Sequence, residues 1–580
     1  MTTLLQRLSA YLIRLSSSRW FHVLMFVLLL VRLTWGMWEW RDLTYGDTSS
    51  YFASFSRERD DGKSYSLVFS PLYVWYYSFF GSAFSDASAA TVLHRIGVIF
   101  MAGFSVFLLF RSVLPKAVGW LVAAWWIVLP INWNALYEVH LFGVVPLALG
   151  CWAVSVARRR TLWLGIGLAF VWMGALLVRN EFALSVALLT LCCVLREWWV
   201  ARRAASGLKW AALGRSILLL AAPGLLVTLL SVMVFHEHWQ SWKGVRKQFK
   251  GRHELNIAQV YPFTYQQRHP EWTQSPWTEG HKLMEEHFGM QFPIFSEAFK
   301  RNPDAIWDHI FWNFQLLPAG LQLGMFNCHS SAFSPDFTPP RQNVPRAAIF
   351  SGIALLVAGI GGYFAWRKRA LCARLCHQPA AWCWVALFCM VPPCVVAIIT
   401  QRPRPSYLFM LAILLMVACG WGLVFILRKT HGWRTFRAAF PLAAAVIVCV
   451  AAPEQTTAQL YTGHQLRDTY QAIRPYRSIF RSKRSVYCSR QFTAEITNYL
   501  CAGFPHRAKA VTPGPLPGTA AEWTKYLDEN RVNILCLDGL DMSHPPIQEW
   551  VAAQSGGPWM VVAQFPGVGP FRMLLFRKPL

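Results

Sequence analysis

Long apolar runs, broken by short polar ones, set the pattern of this 580-residue chain. Eleven windows stand out. They are Phe21 to Val31, Ile96 to Phe110, Ala117 to Pro130, Leu141 to Val156, Leu162 to Val178, Phe182 to Leu195, Ser216 to Val234, Ala347 to Phe364, Ala381 to Thr400, Tyr407 to Leu427 and Ala438 to Ala452. Most run to roughly 15–20 residues, close to the roughly 20 that cross a bilayer. The pattern predicts an α-helical polytopic membrane protein with about 11 transmembrane helices. Trp35, Trp38 and Trp40 follow the first window, where a signal peptide would carry a small-residue cleavage site. They read as an interfacial belt at the end of a retained span.

Three longer polar segments interrupt or follow the windows: 41–94, 236–346 and 453–580. The first passes through the charged run Arg57 to Lys63 and then turns aromatic at Ser70-Pro71-Leu72-Tyr73-Val74-Trp75-Tyr76-Tyr77. That stretch is short for a span and suits a helix lying in the interface. In the second, Asn302 before Pro303 predicts a helix start. Its basic stretch Lys243 to His253 reads as a solvated loop or an anion-binding one. The third has the composition of a soluble domain. Strand-like runs at Arg484 to Cys488, Val532 to Leu537, Trp559 to Phe565 and Phe571 to Phe576 alternate with helical patterns at Thr493 to Cys501 and Ala520 to Asn530. This predicts a small C-terminal α/β domain. The organisation expected is a transmembrane domain over 1–452, carrying outer loops 41–94 and 236–346, and an extracytoplasmic domain over 453–580.

Charge orients this arrangement. The net charge is +26, which in a soluble protein would point to nucleic acid. Only 14% of residues are charged, against about 25% in soluble proteins. With the N-terminus inside, segments 1–19, 111–116, 158–160, 196–215, 367–378 and 428–437 face the cytoplasm. They hold 21 Lys and Arg against Glu197 as their one acid. The short outer turns 131–140, 179–181 and 401–405 hold three. The basic residues therefore report topology, and no nucleic-acid partner is expected. Cys488 and Cys501 fall outside, where a disulfide can form, although spacing alone pairs nothing.

The residues with chemical potential lie on the outer side. Asp47, in Tyr45-Gly46-Asp47-Thr48-Ser49-Ser50-Tyr51, suits a general base at the membrane face, or equally a helix cap. Glu138 and His140 lie in the turn Asn132 to His140 and can face the same pocket. Arg179, in Val178-Arg179-Asn180-Glu181, can meet a phosphate or pair with Glu181. Arg402 and Arg404 alternate with Pro403 and Pro405 at the outer face, against the basic-inside trend, so a phosphate would explain them. Arg95 opens the second window beside His94, and an intramembrane charge is functional or paired by default. No zinc-type cysteine spacing and no Gly-rich nucleotide loop is present.

In the order of these elements the chain resembles the GT-C superfamily of integral-membrane glycosyltransferases, including protein mannosyltransferases and the aminoarabinose transferase of lipid A. Gly46-Asp47-Thr48-Ser49-Ser50-Tyr51 resembles the family's catalytic Asp motif in the first outer loop. Ser70-Pro71-Leu72-Tyr73, Gly81 and His94-Arg95-Ile96-Gly97 are similar to the rest of that loop and the second span. Pro130 to Glu138, Leu177 to Glu181, and Asn302-Pro303-Asp304 with Asn313 resemble later family stretches. Many members carry an adjacent acidic pair, whereas Thr48 follows Asp47 here, so no cofactor is assigned, with a divalent cation as the alternative. The W-W-D-x-G signature of oligosaccharyltransferases is absent.

The resemblance implies transfer of a single sugar, a hexose or pentose, from a polyprenyl-phosphate donor, with inversion. The acceptor would be a glycan, lipid or protein hydroxyl at the outer face of a bacterial cytoplasmic membrane, on the periplasmic side of the cell envelope. Asp47, assisted by Glu138, would be catalytic. Arg95, His140, Arg179, Arg402 and Arg404 would bind the lipid phosphate. A flippase of lipid-linked sugar, or a non-catalytic envelope scaffold, are the competing expectations; the first needs the arginines but not Asp47.

Overall fold

The structure is a computed structural model. It describes residues 2–43, 48–49, 51–52, 70–84, 86–134, 137–156, 161–202, 210–235, 242–277, 279–336, 341–367, 379–452, 465–482, 484–489, 493–501, 508–511, 518–554, 556–565 and 571–577. The chain divides into two compact units: Met1–Trp35 with Val98–Glu454, and Gly36–Gly97 with Gln455–Leu580.

The first unit is helical. Each of the eleven apolar windows is a helix. Nine helices among the described residues are long and apolar enough to cross a membrane, while Lys116–Ile127 and Thr161–Leu177 are shorter apolar helices. An apolar segment in lipid must satisfy its own backbone groups, and a helix does this locally. The outward faces remain apolar: Leu218, Leu225 and Leu229 recur along one side of Trp210–Val234 and all are exposed. Such a face suits contact with lipid.

Small residues join helices where backbones touch. A Cβ at Gly422 would lie 1.8 Å from the Val357 carbonyl oxygen, so Phe409–Lys429 and Val344–Arg367 meet without side chains between them. The span at 382–400 is broken at Met390 and Val391, just before Pro392-Pro393.

The described residues of the segment 242–336 add four helices to this unit, among them Trp242–Arg268, whose first half contains the basic stretch 243–253. Pro303–Phe326 starts where the sequence predicts. The Asn302 side chain accepts from Ala305 N, and Pro303 occupies the first turn, where its missing N–H costs nothing.

The second unit is α/β. Its sheet contains β1 (Val486–Cys488), β2 (Lys509–Val511), β3 (Ile534–Asp538), β4 (Met560–Gln564) and β5 (Phe571–Phe576), in the order β2-β1-β3-β5-β4. β1 runs parallel to β2 and β3, whereas β5 is antiparallel to β3 and β4. β3 is buried along its whole length, consistent with its apolar central position. Cys488 and Cys501 are unbonded, and the Cys501 thiol donates to the Phe480 carbonyl.

Residues 36–97 belong to this unit through specific contacts. The buried Asp42 carboxylate accepts from the backbone N–H of Arg467 at 2.6 Å and of Leu466 at 3.4 Å. It therefore caps the helix Gln465–Ile473, whose first amides have no intrahelical acceptor. Arg474 pairs with Asp86 at 3.0 Å, and Asn498 donates to the Ser49 hydroxyl at 3.1 Å.

Candidate functional site

Two backbone turns at ends of apolar helices carry the arginines. Val178 and Arg179 leave the helix Thr161–Leu177, and the 3-10 turn Asn180–Phe182 starts the next span. Arg179 is extended there, and its Nε donates to the Glu181 carboxylate at 2.7 Å. The second turn is Arg402-Pro403-Arg404 followed by the 3-10 turn Pro405–Tyr407, closed by Tyr407 N–H donating to the Arg404 carbonyl at 3.0 Å. Proline on both sides of Arg404 holds it in extended backbone.

These turns converge on the ring of Tyr407. The Arg179 guanidinium carbon lies 6.0 Å from the ring centroid and that of Arg404 lies 5.7 Å from it. The His140 ring meets it edge-on at 4.9 Å. Three of the sequence-derived phosphate ligands therefore share one aromatic platform. Glu138 stands two residues before His140 but not in a turn: it opens the helix Glu138–Val156 and is buried. Arg402 goes elsewhere. It is buried and lies 4.8 Å from the centroid of Phe263. Arg95 is also buried, in the second unit, next to His94. Asp47 lies outside the described residues.

One member of the site comes from a residue that no sequence signal singled out. Asp336 has a fully buried side chain, pairs with Arg404 at 3.3 Å and accepts from the Tyr137 hydroxyl. Arg404 also lies 5.0 Å from the Tyr137 ring centroid. Each arginine at the platform is thus held at Nε by one carboxylate, Glu181 or Asp336.

A guanidinium presents five N–H donors in a planar fork that matches a phosphate. Two forks meeting at one ring, where like charges repel, form a place for an anion. A slot beside the platform is lined by Met390, Cys394, Ala397 and Met410 as well as His140 and Tyr407. Its lining is mainly apolar. Among the described residues no group of three His, Cys, Asp or Glu side chains is arranged to hold a metal ion.

Solved structures similar to the chain include archaeal oligosaccharyltransferases and ArnT. The archaeal oligosaccharyltransferase AglB from Archaeoglobus fulgidus, in complex with an inhibitory peptide and a dolichol-phosphate, is 15% identical with a TM-score of 0.46, over 96% of this chain and 74% of that one. The Archaeoglobus fulgidus oligosaccharyltransferase in complex with Zn and sulfate is 13% identical with a TM-score of 0.46, over 95% and 72%. ArnT from Cupriavidus metallidurans, bound to undecaprenyl phosphate, is 13% identical with a TM-score of 0.42, over 95% and 97%. No protein-family model matches the sequence, and no curated protein does. At such identities the function must be argued from the residues of this chain.

Two anchors on Pro303–Phe326 hold the Arg402–Arg404 turn. The Asn313 amide nitrogen lies 3.0 Å from the Ile398 carbonyl and 2.9 Å from that of Gln401. Two carbonyl acceptors require the NH2 group there. The His309 Nε2, 3.1 Å from the same nitrogen, must then be the unprotonated one. Its Nδ1–H donates to the Thr264 hydroxyl at 2.7 Å, which donates onward to the Tyr261 carbonyl. Seven residues beyond Asn313, on the same face, is Gly320. A Cβ there would lie 2.1 Å from the Pro403 carbonyl oxygen. Because that contact is backbone, Gly320→Ala is expected to displace the turn. A misplacement of about 1 Å at a reacting centre costs on the order of a hundredfold. Turnover of purified Gly320→Ala protein with an unchanged melting profile would show that the close approach has no role.

His309 also makes a pH prediction. Burial, and secondarily the charge of Arg268, push its pKa from 6.5 down to about 3. Between those values the unfolded chain binds a proton that the folded chain excludes. Stability is therefore full above pH 6.5 and falls as the pH drops toward 3, by at most about 1.4 kcal/mol per pH unit. Thermal unfolding of the detergent-solubilised protein across this window measures the slope. An identical slope in His309→Gln would place the acid sensitivity on another group.

Proposed function

We propose that the chain is a membrane glycosyltransferase that moves one sugar from a polyprenyl-phosphate donor to an acceptor hydroxyl, with inversion. The observation that carries this reading is the meeting of Arg179, Arg404 and His140 on Tyr407 at the ends of apolar helices. A lipid-borne phosphate needs cationic forks for its head and an apolar wall for its tail, and the platform and its neighbouring slot offer both.

In the proposed reaction Asp47, from the motif in the first outer loop, takes the proton of the acceptor hydroxyl. The acceptor oxygen attacks the anomeric carbon. The bond from that carbon to the phosphate oxygen breaks, and its electron pair leaves with the polyprenyl phosphate. Negative charge grows on the departing phosphate, where Arg179 and Arg404 stabilise it more strongly than in the donor. Glu138 serves as a second carboxylate for the acceptor. The acceptor is a glycan, lipid or protein, and the reaction takes place on the outer side of a bacterial cytoplasmic membrane.

The test is transfer of labelled sugar from a synthetic polyprenyl-phosphate sugar by the purified protein in nanodiscs. Donor-dependent release of polyprenyl phosphate, with product of inverted anomeric configuration, supports the proposal. Movement of intact donor across the membrane without cleavage would replace it with a flippase.

A further inference from the structure

Other helix ends carry a second concentration of positive charge, unrelated to the arginine platform. The amphipathic helix Thr2–Leu15 ends in the turn Ser16-Ser17-Ser18, and the span Arg19–Thr34 begins there. Lys116 donates from Nζ to the Ser17 carbonyl at 3.2 Å, and Arg437 donates to the Ser17 hydroxyl. Arg19 follows the serine turn directly in the chain, and Arg111, near the end of the helix Ala87–Val113, is five residues before Lys116. Arg111 lies 5.0 Å from the Phe107 ring centroid, and its buried Nε has no acceptor. Two cations thus bond one serine turn, and two more lie beside these residues along the chain. Among the described residues none of them is paired with a carboxylate.

Gathering four like charges without a counter-ion is unfavourable unless an anion is supplied from outside. The location says from where. Trp20, next to Arg19, is 82% exposed, and Leu8 and Tyr11 on the amphipathic helix are 52% and 59% exposed. A tryptophan at a span's start and an amphipathic helix with bare apolar residues both belong at headgroup depth. The distribution of Lys and Arg along the chain assigns this end to the cytoplasmic side.

We propose that Arg19, Arg111, Lys116 and Arg437 form a binding site for the phosphate of an anionic phospholipid headgroup. The turn carbonyl and hydroxyl of Ser17 pre-position Lys116 and Arg437, and each retains further donors for the phosphate oxygens. The site is independent of the proposed reaction, and its test does not use turnover.

The full-length protein is placed in nanodiscs of phosphatidylcholine containing phosphatidylglycerol, and the retained lipid is counted by native mass spectrometry. The expected result is preferential retention of phosphatidylglycerol. It weakens roughly fivefold for each charge removed in Lys116→Ala and Arg437→Ala, and is kept in Lys116→Arg. Arg367→Ala, which removes a cation elsewhere on the basic face, leaves it unchanged. Equal retention of phosphatidylcholine, or an equal loss in Arg367→Ala, would overturn the site. Displacement of the lipid by added inorganic phosphate would reassign it to a free anion. Thermal unfolding of each variant separates loss of binding from loss of fold.

Discussion

Asp47→Asn lowers sugar transfer by about a hundredfold to ten-thousandfold, with little change in donor KM. The amide has the shape of the carboxylate but cannot take up the acceptor proton, and general-base catalysis is worth that range. In the proposed mechanism donor binding rests on the arginine platform, which is built from other elements. A kcat effect without a KM effect is the mark of an interaction made only in the transition state. The measurement is steady-state transfer by purified variant and parent, with equal expression and equal melting profiles. A flippase or a scaffold predicts no change in its own activity, so unchanged transfer from the polyprenyl-phosphate donor removes Asp47 from the mechanism.

The second large effect concerns Arg404 and Asp336. Arg404→Ala removes one of the two platform guanidiniums, and loss of a group aimed at developing charge costs about a hundredfold to a thousandfold in kcat. It also removes the Arg404 ion pair from the fully buried Asp336 carboxylate. Breaking such a pair from one side destabilises by about 3–5 kcal/mol. The double variant Arg404→Ala/Asp336→Ala removes both charges together and is expected to regain much of that stability, yet none of the activity. If the double variant transfers sugar at the parental rate, Arg404 has no catalytic part. If the single variant is as stable as the parent, the Asp336 pairing contributes little to the fold.

The residues differ in how far they could be read in advance. All eleven apolar windows are helices, and the helix start at Asn302-Pro303 stands where capping chemistry puts it. Four of the five strands fell on β-rich runs, but β2 has only three residues and too little pattern to register. In the site, Arg179 and Arg404 were visible as cations at the outer face, against the basic-inside trend. The Glu181 partner of Arg179 was visible too, because it lies two residues away. Asp336 was not, because its partner is 68 positions further along the chain. Tyr407 read as one more aromatic residue at a span's start until three side chains were seen around it. His309 had no signal beyond a lone histidine on a helical face, although Asn313, on the next turn, did.

What this chain settles through its sequence alone is local: which segments are helices, where they begin and end, and which ends collect cations. Burying backbone in lipid leaves one low-energy conformation, and each window meets that condition through its own residues. What only the tertiary structure decided is which distant side chains meet. Asn313 reaching the carbonyls of Ile398 and Gln401, Gly320 making room for Pro403, and Asp336 holding Arg404 all depend on how helices pack. Packing energies belong to pairs of surfaces, and neither surface carries the identity of its partner in its own sequence.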